Sequence, residues 1–298
     1  MTKKIKKAIL PVAGFGTRFL PVTKSQPKEM LPIVDKPIIQ YLVEEAVAAG
    51  IEEIFFVTGR GKRAIEDHFD HSFELEYNLV EKAKHDRLAE IYKLPKLAKF
   101  AFVRQSKPIG DGDAILCARH LIGDEPCAVL FGDDLIDSET PGIAQLIKVF
   151  EKYGDPVIAL ERVPKKDVYR FGVVDSIEIS KRTYEIKDIV EKPPVEKAPS
   201  DLTIVGKYII TPDVFEELEK IKPGNDGEVR LADALKNLLS RKPIYGYEFE
   251  GTRHDCGNKL GFLKATVHYA LKRKEFNGEF KNYLKELDFD YYSKKKEK

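Results

Sequence analysis

The chain has 298 residues, 43% of them hydrophobic, with 50 Lys and Arg against 49 Asp and Glu. That length suits one large domain or two ordinary ones with a substantial core, and the near-zero net charge excludes a non-specific nucleic-acid binder or an acidic tail protein, so any phosphate site must be local. Three cysteines, Cys117, Cys127 and Cys256, form no zinc spacing and suit a reducing compartment; no apolar run approaches the ~20 residues of a membrane span, and Met1-Thr2-Lys3-Lys4 leads into a strand rather than a signal peptide, so a soluble cytoplasmic protein is expected.

The predicted elements begin with Ile5 to Val12, apolar apart from two lysines, which reads as a buried strand. A helix about Pro37 to Ala49, a strand Ile54 to Thr58 and helices between Lys62 and Lys93 follow. Strand Phe100 to Arg104, helix about Ala114 to His120, strand Cys127 to Phe131, helix Pro141 to Tyr153 and strand Val157 to Leu160 continue the rhythm. This alternation predicts an α/β protein with a central, mostly parallel sheet. From Gly172 the pattern changes to short strands, Gly172 to Asp175 and Tyr184 to Val190, in polar surroundings, which predicts an appended substrate region before the apolar run Leu202 to Ile210. Helices about Pro212 to Ile221 and Leu231 to Leu239, a strand Ile244 to Phe249 and a long helix Lys259 to Lys274 complete the fold. The lysine-rich end, Ser293 to Lys298, reads as a solvated, disordered tail.

The loop after the first strand, Ala13-Gly14-Phe15-Gly16-Thr17-Arg18, carries the clearest chemistry. Its glycines let backbone N–H groups approach a phosphate, and Arg18 and Lys28 add countercharge on the same side. A P-loop would need Lys-Ser or Lys-Thr after the last glycine, and a dinucleotide loop would need Gly or Ala where Phe19 stands, so neither pattern is met. A tight strand-to-loop turn is the alternative use of the same glycines. Asp133 follows a strand expected at the sheet centre, at the carboxyl edge where open α/β sheets bind ligands. There it could hold Mg²⁺, a hard cation that prefers carboxylate oxygens, or serve as a turn or capping residue; Asp134 suits capping or support. Asp255, in His254-Asp255-Cys256-Gly257-Asn258, is a candidate second metal ligand, whereas neighbouring His254 and Cys256 lack the spaced partners of a triad or zinc site. Glu191-Lys192-Pro193 ends a strand with a phosphate-binding lysine and a glutamate suited to sugar hydroxyls, or simply with two surface charges. Gln105 and the loop Gly110-Asp111-Gly112-Asp113 could read a base edge.

Taken in order, GFGTRFLPVTKSQPKEMLP, the Gly110 loop, Asp133, YRFGVV, VEKP, the Ile204-Val205-Gly206-Lys207 strand and HDCGNKLGF closely resemble the bacterial UTP–glucose-1-phosphate uridylyltransferases, of the sugar nucleotidyltransferase family, over residues 5 to about 285. The resemblance implies a Rossmann-like, three-layer nucleotidyltransferase fold in one domain over residues 1–287: a nucleotide part of about 1–160, a smaller sugar-phosphate part of about 161–257 and a C-terminal helical part of about 258–287, with 288–298 a tail. It implies Mg²⁺ as cofactor, UTP and glucose 1-phosphate as substrates, and a homo-oligomer, dimer or tetramer, with no nucleic-acid or membrane partner; Tyr269 and Phe276 are candidates for a dimer contact. Carried over by residue, Ala13, Gly14, Gly16, Thr17, Gln105, Gly110 and Asp133 match nucleotide contacts, Arg18 and Lys28 match the triphosphate-facing catalytic cations, and Asp133 and Asp255 match metal ligands. Gly172, Glu191, Lys192 and Gly206 match the sugar-phosphate pocket, Lys192 as the third catalytic cation. The family usually has Gly-Leu-Gly-His-Ala where this chain has Gly110-Asp111-Gly112-Asp113-Ala114, and Leu-Pro-Asp where it has Phe131-Gly132-Asp133, which leaves the choice of base open between UTP, dTTP and ATP. A catalytically silent nucleotide-sugar sensor and a nicotinamide dehydrogenase are the readings from other classes; the first should have lost one of Lys28, Asp133, Lys192 and Asp255, all of which are present.

Overall fold

Short apolar stretches alternating with helical ones form, in the computed structural model, a nine-stranded sheet between two layers of helices; residues 4–224, 226–276 and 278–288 are described. The strands are β1 (Lys7–Pro11), β2 (Pro32–Ile33), β3 (Lys36–Pro37), β4 (Glu53–Thr58), β5 (Lys99–Arg104), β6 (Cys127–Leu130), β7 (Asp134–Asp137), β8 (Val157–Arg162), β9 (Gly172–Ser180), β10 (Thr183–Glu191), β11 (Leu202–Ile210), β12 (Tyr245–Glu248) and β13 (Thr252–Asp255). The large sheet has the order β5-β4-β1-β6-β11-β8-β12-β10-β9. Strands β5, β4, β1, β6, β8, β12 and β9 point one way, and β10 and β11 run against them. The parallel block expected from the βαβ rhythm is therefore continuous through β5-β4-β1-β6, and β11 enters antiparallel between β6 and β8.

The helices are α1 (Ile38–Ala48), α2 (Arg63–His68), α3 (Phe73–Glu81), α4 (His85–Tyr92), α5 (Asp111–Cys117), α6 (Arg119–Ile122), α7 (Gly142–Tyr153), α8 (Pro212–Lys220), α9 (Leu231–Leu238), α10 (Lys259–Lys272) and α11 (Glu279–Glu286). Alternation along β1 shows the layering: Ala8 and Leu10 face one core with α1, α7 and Ala265 of α10, while Ile9 faces a second core with α5, α8 and α9. No helix among the described residues is long and apolar enough to cross a membrane.

Three expectations are corrected. Strands β9 and β10 extend to Ser180 and begin at Thr183, further than their apolar segments, because they form a hairpin whose outer end is largely exposed. The short β7 and β13, for which the sequence predicts no strand, pair with each other in an antiparallel ribbon, Asp134 opposite Asp255. Helix α5 starts at Asp111, earlier than expected, because Gly110 at φ 114° turns the chain into it. Tyr269, offered with Phe276 for a dimer contact, is half-buried and packs within the chain against the Tyr41 ring at 4.7 Å. The expected tail beyond 288 lies outside the described residues.

A buried ion pair ties the layers together. Lys207 of β11 is fully buried, and its Nζ donates to Glu45 Oε2 of α1 at 2.8 Å, while Glu45 Oε1 accepts from the Ile143 N–H at the start of α7, 3.0 Å away. Removing one member strands the other charge in the interior, which typically costs 3–5 kcal/mol, whereas removing both leaves none. Lys207→Met should therefore lower unfolding stability by about 3–5 kcal/mol in denaturant titrations, and Glu45→Gln in that background should recover part of the loss. Equal stability of Lys207→Met and the parent would contradict this account.

Candidate active site

The loop leaving β1 continues the parallel pairing for one residue, with Val12 N–H donating to Val57 O at 2.9 Å, and then turns. Gly16 takes a left-handed conformation, φ 66°, and a side chain there would crowd Lys28 Cβ at 3.1 Å. Thr23 Oγ1 donates to Gly16 O at 2.8 Å and closes the loop over the segment that carries Lys28. Lys28 Nζ then reaches Asp133 Oδ2 at 2.5 Å, beyond the end of β6. Burial alone would push the Asp133 carboxyl up, but Lys28, with Arg18 and Arg253 behind it, holds it below the ordinary carboxylate range. Burial likewise works against the Lys28 ammonium, and Asp133 and Glu29 more than offset it. Both groups are thereby kept ionised. Alongside runs a second pair, Lys62 Nζ to Glu29 Oε2 at 2.8 Å, both nearly inaccessible to solvent; burial lowers the Lys62 pKa despite that partner.

Asp255 lies across the β7–β13 ribbon from Asp134 and so comes beside Asp133. Its Oδ1 accepts from Gly257 N–H at 2.9 Å and its Oδ2 from Asn258 Nδ2 at 2.8 Å. The side of Gly257 that a Cβ would occupy is 2.5 Å from Asp133 Oδ2 and 3.1 Å from Asp255 Oδ1. Two carboxylate oxygens thus converge on one small space that any larger residue at 257 would fill. Arg18 Nη1 donates to Gly257 O at 3.2 Å, which brings the first loop to the same point. Asp134 supports this edge: its Oδ2 accepts from Gly206 N–H at 3.0 Å and its Oδ1 from Arg253 Nε at 2.7 Å. Burial pushes Asp134 up even with Arg253 beside it.

Two cavities meet here. One, about 490 Å³, is lined by Ala13, Gly14, Gly16, Thr17, Arg18, Lys28, Gln105, Gly110 and Asp133 among others. The second, about 560 Å³, is lined by Gly172, Glu191, Lys192, Gly206 and Asp255. Arg18, Asp111, Phe131, Asp133 and Glu228 line both. The residues matched above to nucleotide, sugar-phosphate and metal contacts therefore all line one cavity or the other. Gly172 and Glu191 are cross-strand partners in the β9–β10 hairpin, and Lys192, at φ 46°, follows them with its amine 3.3 Å from Glu191 Oε1. No histidine lines either cavity among the described residues. His254 is buried and packs on His268, with ring centroids 4.5 Å apart, and Cys256 is buried as expected.

The acidic loop is resolved into two separate jobs. Residues 109–112 are zipped to 229–231: Val229 N–H donates to Ile109 O at 2.7 Å, Gly112 N–H to Val229 O at 2.9 Å, and Leu231 N–H to Asp111 Oδ1 at 2.8 Å. Asp111 thus faces the start of α9, while Asp113 accepts from Gln105 Nε2 at 2.7 Å. Glu29, Lys62, Arg253 and Glu228 were not found from the sequence. Glu29 lies inside the quoted motif beside Lys28, and Lys62 lies among the charges of Arg60-Gly61-Lys62-Arg63, so that pairing and burial mark them out; Arg253 stands beside His254-Asp255.

A nucleotide-sized cavity joined to a second polar cavity, with cations and two convergent carboxylates at the junction, defines a nucleotidyl-transferring site. Residues 7–272 match the family model described as nucleotidyl transferase. A curated relative from Bacillus subtilis, a UTP–glucose-1-phosphate uridylyltransferase, is 50% identical over 96% of this chain and 98% of its own length. A crystal structure of UDP-glucose pyrophosphorylase complexed with UDP-glucose superposes with a TM-score of 0.83 at 45% identity, covering 90% of this chain and all of that one. A UTP-bound enzyme of the same name from Acinetobacter baumannii gives a TM-score of 0.89 at 42% identity, over 95% of this chain and all of the other. The chain belongs to the nucleotidyl transferase family and, within it, to the UTP–glucose-1-phosphate uridylyltransferases.

Burial pushes the Asp111 carboxyl up to about 6, against the pull of the Leu231 and Gly112 N–H groups. A raised folded pKa means that the folded state holds the proton more tightly, so stability from this group is full below its unfolded pKa and is lost as pH rises through about 6. Asp111→Asn keeps the acceptor for Leu231 without the titration. Between pH 4 and pH 7 the variant should gain on the parent by up to ~3 kcal/mol, read from paired denaturation midpoints. A difference that does not change with pH would refute the assignment.

Proposed function

We propose that this enzyme transfers the uridylyl group of UTP to α-D-glucose 1-phosphate, giving UDP-glucose and pyrophosphate. The observation that carries the reading is the meeting of the two cavities at Arg18 and Asp133, with Lys28 on one side and Lys192 and Asp255 on the other. The nucleotide would occupy the first cavity, within about residues 1–160, with Ala13, Gly14, Gln105 and Gly110 against base and ribose and Gly16 and Thr17 on the same loop. The sugar phosphate would occupy the second, within about 161–257, between Gly172, Glu191, Lys192 and Gly206. Their phosphates then face each other at the junction.

A phosphate monoester has its second pKa near 6, so at neutral pH it is already a nucleophilic anion and needs no general base, in keeping with cavities lined by no histidine. One of its oxygens attacks the α-phosphorus of UTP; a new P–O bond forms, the bond from the α-phosphorus to the α–β bridging oxygen breaks, and that oxygen leaves with pyrophosphate. The obstacle is electrostatic, because two unit negative charges ~4 Å apart at an effective dielectric of ~20 repel by roughly 4 kcal/mol. Lys28 would exchange Asp133 for the triphosphate, Arg18 would face both substrates, and Lys192 would hold the sugar phosphate. Asp133 and Asp255 have the hard oxygen donors and the convergent geometry to hold Mg²⁺, which when bound supplies further countercharge to the phosphates. What remains is in-line positioning, which the rigid sheet edge provides. If the chain forms a dimer or tetramer, exposed Leu260 and Leu263 of α10 suit the contact better than the half-buried Tyr269.

Pyrophosphate release from glucose 1-phosphate should be fastest with UTP among UTP, dTTP, ATP and CTP, and EDTA should abolish it. In the same assay Lys28→Ala and Lys192→Ala should each lower turnover by about 10²-fold or more with the folded circular-dichroism spectrum retained. Near-normal turnover in both variants would sink the mechanism, and no release with any nucleotide would favour a sensor.

A further inference from the structure

Gln105 closes the base end of the first cavity from β5, its backbone N–H donating to Thr58 O at 2.9 Å and its side chain nearly inaccessible at 5% exposure. A glutamine amide has two faces of opposite character, two N–H donors and one carbonyl acceptor, and a free one presents either to a ligand. Here the choice is made by the protein. Nε2 lies 3.0 Å from Gly110 O and 2.7 Å from Asp113 Oδ2, and both partners can only accept. Both amide hydrogens are thereby used, and the reverse orientation would set the Gln105 carbonyl against two oxygens. Oε1, which has no partner among the described residues, is left toward the cavity as an acceptor.

We infer that Asp113 is a positioning residue for base selection: by holding Gln105 Nε2 it turns Oε1 into the nucleotide cavity, which then takes a base presenting a ring N–H there, as uracil does, and disfavours one presenting a ring lone pair, as cytosine does. The inference rests on the uridylyltransferase reading and deepens it. Thymine shares the imide N–H, so this device selects the class of base and not the methyl group. The Gly110 carbonyl alone is a weaker lock, because it occupies one amide hydrogen and leaves the other free for a ring nitrogen once the amide rotates. Asp113 also sits in the first turn of α5, where any carboxylate complements the helix dipole, so a purely structural role is the competing account.

The two accounts separate in the ratio of kcat/KM for UTP to that for CTP, measured by pyrophosphate release. Asp113→Ala should lower the ratio about tenfold, with kcat/KM for CTP rising in absolute value. Asp113→Asn, whose Oδ1 can still accept from Nε2, should keep the ratio within about threefold of the parent. Asp113→Ser, too short to reach Gln105 but able to serve the first turn, should behave as Asp113→Ala and covers the case in which that variant does not fold. An unchanged ratio in Asp113→Ser or Asp113→Ala, with both nucleotides slowed alike and a lowered Tm, would overturn the inference while leaving the uridylyltransferase reading standing. A parent that does not discriminate UTP from CTP would overturn that reading itself.

Discussion

The ion pair between Lys28 and Asp133 is the constraint around which the rest of the site is arranged. Two charges 2.5 Å apart at the carboxyl edge of the sheet, each largely removed from water, are tolerable only together. Holding them in register requires the left-handed turn at Gly16 and the Thr23 brace on one side. On the other, Cys256 N–H donates to Asp133 O at 2.8 Å, which joins the β6 end to the approach to α10. The pair also explains how a buried aspartate remains a carboxylate, the state in which it can take a hard cation, while Asp134, next in sequence but turned toward Gly206 and Arg253, is pushed the other way.

Division of the crevice into two cavities depends on a different contact, the zip between residues 109–112 and 229–231. Gly110 and Gly112 are needed because a side chain at either would run into the Val229 backbone or the start of α9. The cavities share a wall made of Arg18, Asp111, Phe131, Asp133 and Glu228. A reaction that must bring two phosphates together while keeping base and sugar apart is served by that geometry: recognition happens at the two ends and charge compensation at the middle.

Much of this was legible without coordinates. Buried strands of the parallel block announce themselves as apolar runs, because a strand covered on both faces has no polar side to show. The loop after β1 stood out for a different reason: its glycines and Arg18, with Lys28 further on, mark a segment of unusual composition, and these residues line the first cavity. The edge hairpin β9–β10 was underestimated, since exposed strands carry charges that read as loop, and β7 and β13 were missed because each has only four residues, with a carboxylate at both ends of β7 and at the end of β13. Glu29 and Lys62 were not picked out, because Glu29 stands beside Lys28 and Lys62 between two arginines, and only the 2.8 Å pairing across 33 residues distinguishes them from those neighbours.

The sequence by itself determined the class of the fold, the segments that reach the carboxyl edge and the residue types that chemistry there requires, because periodicity and local turn chemistry are properties of neighbouring residues. Tertiary structure alone decided partnership. Which of two adjacent aspartates pairs with Lys28 and which with Arg253, which of the two acids in the Gly110 loop accepts from the start of α9 and which from Gln105, and how β13 brings Asp255 beside Asp133 all depend on contacts between residues up to about 120 apart in the chain. The physical reason is that a hydrogen bond or ion pair is set by distances of about 3 Å, and only the packed core fixes those.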